Sequence, residues 1–320
     1  MLRKRIFVLL LAVVFVASVG GTAFAEYPIK NVKLITHSSS GGGTDRFLRQ
    51  AVSLLGPIMG VTFIVENVRG GSGAKAMAAL AVAPADGSTF YGSTPTFLNT
   101  SLLSKPAYTF RDLEPVVNVF FDPMIAYTAA DSRFKSMKEV VNYAKKNPGK
   151  GKWGTGTPTS LEQQIVQQLK QISGVTDVNV VSFEGGGDLM LNVLSGRLDF
   201  GIGEPGEILS QLEAGKLRIL ATFTDKRISG FPDVPTATEQ GFGVVINKFR
   251  GIVGPKGLPA NVVKAWEEAI PKLLASPEYK AIYVKENLVP AFMDQKTYKA
   301  YIAKRAEDIE AYFKGIGVIK

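Results

Sequence analysis

Asn31-Val-Lys-Leu-Ile-Thr36, Ser38-Ser-Ser-Gly-Gly-Gly-Thr44 and the stretch 45–55 decide the fold of this chain. The first alternates side chains with the period of a half-buried strand, the second is a glycine-rich loop, and the third carries apolar residues at helical spacing. This strand, loop and helix form a βα unit, and the pattern recurs at once. Val61-Thr-Phe-Ile-Val65 reads as a strand, Arg69-Gly-Gly-Ser-Gly73 as a turn, and residues 74–83 as an alanine-rich helix. Ser88-Thr-Phe-Tyr91 reads as a further short strand, so the first third predicts a largely parallel sheet with helices on its faces.

The middle of the chain repeats the scheme. Pro123-Met-Ile-Ala-Tyr-Thr128 is a strand, residues 136–146 a helix capped by Ser136, and residues 152–155 a strand leading into Gly156-Thr-Pro-Thr-Ser160 and a helix over 162–172. Val178-Asn-Val-Val-Ser-Phe183 is a strand, Glu184-Gly-Gly-Gly-Asp188 a loop, and residues 189–194 a short helix ended by Ser195-Gly196. Strands at 199–202 and 217–222 flank a helix over 207–214 closed by Gly215. After the loop Phe231-Pro-Asp-Val-Pro-Thr236, Gly251-Ile-Val-Gly254 opens a last segment with helices over 261–274, 277–286 and 295–314. In the last of these, Tyr298, Tyr301, Ile302, Ile309 and Phe313 recur at the spacing of a helix face packed on a core.

The expected architecture is therefore α/β with two lobes, each a mostly parallel sheet flanked by helices, and a ligand cleft between them. Residues 26–125 form the first part of lobe 1, 126–248 form lobe 2, and 249–320 return to lobe 1 with the C-terminal helices. A chain that crosses between lobes twice predicts a hinge.

Residues 1–25 stand apart. Arg3-Lys4-Arg5 is a basic start, residues 6–19 are uninterrupted apolar or small, and Ala23-Phe24-Ala25 is a small-x-small cleavage signal. The run from Ile6 to Glu26 is also about long enough to anchor in a bilayer. The cleavable reading leads to export and a periplasmic, freely diffusing monomer, since no cysteine follows that could carry a lipid. Cleavage removes three cationic side chains and leaves 295 residues at a net charge of +6 instead of +9.

Composition narrows the function classes. With 46% apolar and 20% charged residues and no cysteine, the chain is neither a disordered tail, a disulfide miniprotein nor a cysteine-ligated zinc module. A single histidine, His37, excludes a multi-histidine metal centre, and neither metal nor cofactor is expected. The basic residues are scattered without long runs or interleaved aromatics, so nucleic acid is not an expected partner. Gly71-Ser-Gly-Ala-Lys-Ala76 matches a dinucleotide fingerprint but lies beyond its strand end, and no phosphate-loop or Gly-x-Ser-x-Gly motif is present.

Three segments share an anion-binding design. Ser38 to Asp45, Gly154 to Ser160 and Phe183 to Asp188 each follow a strand, open a helix and are rich in Gly, Ser and Thr. Glycine lets backbone N–H groups point inward, a helix start supplies unpaired donors with partial positive charge, and small hydroxyls add more. In open α/β sheets such loops gather at the carboxyl edge, where ligands bind. For any one loop, tight chain reversal is the simpler explanation. Asp45 and Asp188 sit where helix-capping acids belong. His37 either donates to a ligand carboxylate or packs to orient the first loop. Phe183 stands at a site-facing strand end. Glu184 and Glu204 flank the cleft but lie too far apart in sequence to be named an acid–base pair.

The order of segments resembles the periplasmic substrate-binding receptors of tripartite tricarboxylate transporters, the Bug proteins. The resemblance rests on Ser40-Gly-Gly-Gly-Thr-Asp45, Val65-Glu-Asn67 with Gly70 to Gly73, Ala85-Asp-Gly87, Phe183 to Gly187, and Ser195-Gly-Arg-Leu-Asp199. It continues through Gly215-Lys-Leu-Arg-Ile-Leu220 and Phe231-Pro-Asp-Val-Pro-Thr236 with Glu239 and Gly241. It implies a two-lobed, type II-like periplasmic binding protein fold that closes on a small organic carboxylate, delivers it to a membrane permease of the same transporter type, and performs no catalysis. By position it implies that Ser39, Ser40, Gly41, Gly42, Gly43 and Thr44, with Gly185, Gly186 and Gly187, clamp one carboxylate. Gly154, Thr155, Gly156, Thr157, Thr159 and Ser160 line the opposite wall. His37, Ser38, Asp45, Phe183, Asp188 and Glu204 complete the expected binding set.

Two positions depart from the family pattern. Thr36-His37-Ser38 replaces a Pro-Phe type pair, and Glu204-Pro205-Gly206 stands where small residues are usual. An acid at Glu204 facing the cleft would repel a second ligand carboxylate or pair with a ligand amine, which counts against a plain di- or tricarboxylate. The alternatives to transport are an extracytoplasmic enzyme acting on a carboxylate ester or sugar acid through Glu184, Glu204 or His37, and a receptor reporting ligand to a membrane sensor kinase.

Overall fold

The computed structural model of the chain describes residues 27–320; the leader expected at 1–25 lies outside them. Two sheets divide the described residues. The first contains β1 (Asn31–Thr36), β2 (Thr62–Asn67), β3 (Thr89–Ser93), β4 (Leu113–Pro123), β10 (Asn247–Pro255) and β11 (Val289–Met293), in the order β11-β4-β10-β3-β1-β2. The second contains β5 (Ile125–Ala129), β6 (Lys152–Thr155), β7 (Asn179–Ser182), β8 (Phe200–Gly203) and β9 (Leu217–Thr222), in the order β7-β6-β8-β5-β9.

The two-lobed α/β architecture is as the sequence predicts, but the sheets are mixed rather than mostly parallel. β2-β1-β3 and β7-β6-β8 are parallel, whereas β10, β4 and β11 in one sheet and β5 and β9 in the other join antiparallel. The cause is the double crossing. β4 carries the chain out of the first sheet, and only Met124 separates its last residue, Pro123, from the start of β5 in the second. β10 brings it back beside β4, with Asn247 opposite Pro123, so the outgoing and returning strands must run in opposite directions.

Both faces of each sheet are covered, as βα connections require. In the first lobe, Val32 and Leu34 of β1 point to α1 (Gly43–Met59) and α8 (Ala260–Ala275), packing with Phe47, Leu48 and Trp266. Ile35 points the other way, into a cluster with Met77 of α2 (Ala74–Ala81), Phe97 of α3 (Pro95–Leu103), and Tyr298 and Phe313 of α10 (Gln295–Gly315). α9 (Pro277–Lys285) adds Tyr279 and Tyr283 to the first cluster. In the second lobe, Ala126 of β5 packs with Val140 of α4 (Met137–Lys146) and Ile165 of α5 (Leu161–Ser173). Its neighbours Ile125 and Tyr127 face Leu189 and Val193 of α6 (Gly186–Leu194) and Ile208 of α7 (Pro205–Glu213). The period of two along each strand thus builds two cores per lobe. Ser136 caps α4 by accepting the Glu139 N–H, and Gly174 and Gly215 end α5 and α7 in left-handed conformation.

Candidate functional site

Five helices start at one cavity between the sheets: α1 and α3 of the first lobe and α5, α6 and α7 of the second contribute first-turn or N-cap residues to its wall. These are Gly43 and Thr44, Thr94 and Thr96, Ser160 and Glu162, Gly185 and Gly186, and Glu204 and Glu207. The convergence follows from topology. β1, β3, β6, β7 and β8 each lead by a short loop into the next helix, so every helix begins at the carboxyl end of its strand. Helix starts carry unpaired N–H groups and partial positive charge, so their sum favours an anion. The cavity volume is about 50 Å³, room for a few water molecules with the lobes as they stand, and Phe183, Leu189 and Ile202 give it an apolar side.

The lobes meet around this cavity. The Glu207 carboxylate of α7 accepts the Gly43 N–H of α1 at 2.7 Å through one oxygen, and its other oxygen faces the Glu204 N–H at 3.4 Å. Thr100 and Thr159 hydroxyls are hydrogen-bonded at 2.6 Å, and the Asn99 amide donates to Gln164 at 3.3 Å. A side chain at Gly185 would overlap Ser39, and one at Gly186 would overlap the Glu207 carboxylate. The glycines of the Phe183 loop are needed because the opposite lobe and an acid already occupy the space a Cβ would fill.

Beneath the cavity lies a buried ionic cluster built on the two strands that join the lobes. Lys248 of β10 is paired with Glu162 of α5 at 2.9 Å and with Glu204. Arg250 of β10 donates from Nε to Asp122 of β4 at 2.5 Å, from Nη1 to Thr44 at 3.0 Å, and stands 3.5 Å from Glu204. Charges removed from water this completely persist only when mutually paired. Burial alone would raise the Glu204 carboxyl, and the Lys248 and Arg250 cations reverse that and hold it at about 2. Burial and then the neighbouring Glu204 raise Glu207 well above the usual carboxyl range, against the pull of Lys248. Burial opposes the charge on Lys248, but Glu162 and Glu204 outweigh it and keep the amine protonated.

His37 is pushed down to about 4 by burial and by the Lys248 and Arg250 charges, so the ring is neutral at ordinary pH. Its Nδ1 pairs with the Tyr91 hydroxyl; with Tyr91 as donor, the proton sits on Nε2. The ring lies against Gly73, whose φ of +96° and lack of a side chain leave room for it. His37 therefore both packs on the loop and lines the cavity.

Of the residues expected from sequence, the structure brings His37, Ser38, Gly43, Thr44, Gly156, Thr157, Ser160, Phe183, Gly185, Gly186 and Glu204 to the cavity wall. The others stand back from it. Asp45 accepts from Gly41 N–H, Arg49 and Asn67, each at 2.9 Å, and so fixes the first loop from behind. Gly42 turns that loop against Ser38 and Ser39, and Ser40 and Gly41 are exposed at its tip. Gly154 lies under Leu189 and Leu198, while Thr155 bonds Gln163 at 3.0 Å. Thr159 is spent on Thr100, and Gly187 and Asp188 follow the turn of α6 away from the cavity. Glu204 lines the wall with its charge already neutralised by two cations, so it is not the free acid the sequence suggests.

Glu207, Lys248, Glu162, Thr94 and Thr96 were not in the sequence-based set. A signal existed for two of them: Ser93-Thr94-Pro95-Thr96 follows a strand, and Thr before Pro marks a helix start. Thr94 and Thr157 carry buried hydroxyls with no hydrogen-bond partner among the described residues, 1% and 7% exposed respectively. Such groups are costly unless something in the cavity pairs with them.

The family model described as the tripartite tricarboxylate transporter family receptor matches residues 47–318. The chain is 28% identical over 297 residues to a Cupriavidus necator protein described as the UPF0065 protein in the gbd 5' region, covering 92% of this chain and 90% of that one. It superposes on the structure of the periplasmic binding protein BugD with a TM-score of 0.85 at 24% identity, covering 91% of this chain and 99% of that one. A Rhodopseudomonas palustris protein solved with adipate gives a TM-score of 0.86 at 24% identity, covering 91% and 98%. With cleft, fold and family model in agreement over nearly all of the described residues, the chain belongs to the solute-binding receptors of the tripartite tricarboxylate transporter family, the Bug proteins.

Proposed function

We propose that the protein is a periplasmic receptor that captures a small organic carboxylate between its lobes and delivers it, unchanged, to a membrane permease of the tripartite tricarboxylate type. The observation that carries this reading is the convergence of five helix starts from both lobes on one small cavity. Their summed N-terminal charge and the unpaired Thr94 and Thr157 hydroxyls favour a carboxylate over a neutral solute. The relative solved with adipate supports the same ligand chemistry.

In this reading residues 1–25 are a cleaved leader. The lobes are 26–125 with 249–320, and 126–248, they hinge where β4 and β10 cross, and the receptor acts as a monomer. It is not an enzyme. In this reading Glu204, ionised and paired with two cations, belongs to the ionic floor of the cavity, and the neutral His37 has its Nδ1 committed to Tyr91.

A thermal-shift screen of the mature protein against mono-, di- and tricarboxylates, amino acids and aromatic acids tests the proposal, because a ligand that binds only the folded state raises its melting temperature. A shift confined to one carboxylate class, with the compound recovered intact by NMR, is the expected result. No shift across the panel, or recovery of a converted product, overturns it.

A further inference from the structure

We infer that the Glu207 carboxyl group occupies the anion position between the starts of α1 and α6, so that this receptor takes a monocarboxylate with an apolar body rather than a di- or tricarboxylate. The inference rests on the carboxylate-receptor reading above. Glu207 reaches from α7 of the second lobe to the start of α1 in the first, where Gly43 offers its N–H at 2.7 Å. Its carboxyl group lies directly against Gly186, the first residue of α6, and one oxygen is 2.8 Å from the position of a Cβ on Gly203. A carboxylate between the starts of α1 and α6 is the arrangement a bound anion would adopt there. The chain supplies that group itself.

The surroundings oppose a second anion in the same place. Glu204 and Glu162 are close, and Glu204 already raises Glu207, so another carboxylate beside it would meet further repulsion. One anion position is then left, at the starts of α3 and α5, where Thr94 caps α3 without bonding its own helix and Thr157 precedes α5. Both hydroxyls are buried, unpaired and part of the cavity wall. Phe183, Leu189 and Ile202 give the wall an apolar side that suits a hydrocarbon body, and the lysine in the wall, Lys248, is already paired with Glu162 and Glu204.

Calorimetric titration of the mature protein and of Glu207→Ala with butyrate and succinate, probes of equal chain length, tests this. Wild type is expected to bind butyrate at least tenfold more tightly than succinate, and the variant to gain at least tenfold in succinate affinity as the α1–α6 position opens. Glu207→Asp, whose shorter side chain withdraws from Gly43, should shift the preference in the same direction and serves if the alanine variant does not fold. Wild type that binds succinate as well as butyrate, or folded variants with unchanged preference, overturns the inference and leaves the receptor function standing. Wild type that shifts with no carboxylate in the thermal screen removes both.

Discussion

The Glu207 carboxylate and the Gly43 backbone N–H meet across the cleft at 2.7 Å, joining the second lobe to the first through an acid that forms no ion pair among the described residues. A few residues away, Glu204 is ionised and held by Lys248 and Arg250. Two acids separated by one helical turn thus do different work. One belongs to the ionic floor beneath the hinge strands, and the other stands where it can compete with ligand.

Glu207 is raised by burial and by Glu204, so its ionisation costs the folded state more than the unfolded chain. A carboxyl raised on folding contributes stability that is present below its unfolded value of 4.5 and is lost as pH rises through the folded value. Glu207→Gln keeps an acceptor for Gly43 and removes that cost. The variant should melt higher than wild type at pH 8 and show a smaller advantage at pH 4. A lower melting temperature at pH 8 would contradict the assignment.

His37 works in the opposite sense. Its folded value of about 4 lies below the ordinary 6.5, so the unfolded chain binds a proton first and stability falls as pH drops from about 6.5 to about 4. The loss is up to about 3 kcal/mol for a shift of this size. Because the chain has one histidine, the imidazole resonances of tag-free protein report it alone. An NMR titration midpoint near 4 is expected; a midpoint near 6.5 would refute the buried, cation-flanked environment.

Lys248 is the only base bonded to Glu162 among the described ion pairs, and it also holds Glu204. Lys248→Met leaves both carboxylates buried against an apolar side chain, which should destabilise the fold by about 3–5 kcal/mol. Adding Glu162→Gln should recover part of that loss, since one stranded charge is removed. Denaturant titration of the single and double variants measures the coupling, and additive effects would show that the pair is not an energetic unit.

Gly186→Val places a branched side chain where Glu207 now lies, at the start of α6. The lobes should then fail to close on ligand, with at least a tenfold loss of affinity, about 1.4 kcal/mol. Calorimetry on a folded variant with unchanged affinity would argue that the Phe183 loop does not take part in binding.

Much of this site is legible in the sequence. The βα loops 38–45, 154–160 and 183–188 each announce a strand end, a helix start and close backbone approach, and two of those features are local. What is not legible is carried on the strands that join the lobes. β4 contains Pro115, Asn118 and Asp122, and the start of β10 contains Lys248 and Arg250, a composition that resembles a solvated segment. Those charges are buried only because they meet Glu162 and Glu204 from distant parts of the chain, a tertiary fact with no local signature. The same strands turn the first sheet from parallel to mixed, as β5 does in the second. Glu207 was hidden for a related reason: three residues after Glu204 at a helix start, it reads as a helix-dipole acid, and only the opposite lobe reveals its contact with Gly43.

The most direct test of the account is a crystal structure of the mature protein with the carboxylate that gives the largest thermal shift. The account predicts that the ligand lies in the cavity between the lobes, with a carboxylate oxygen within hydrogen-bonding distance of the Thr94 or Thr157 hydroxyl and its body against Phe183 and Leu189. A ligand bound elsewhere on the protein, with those hydroxyls still unpaired, would contradict it.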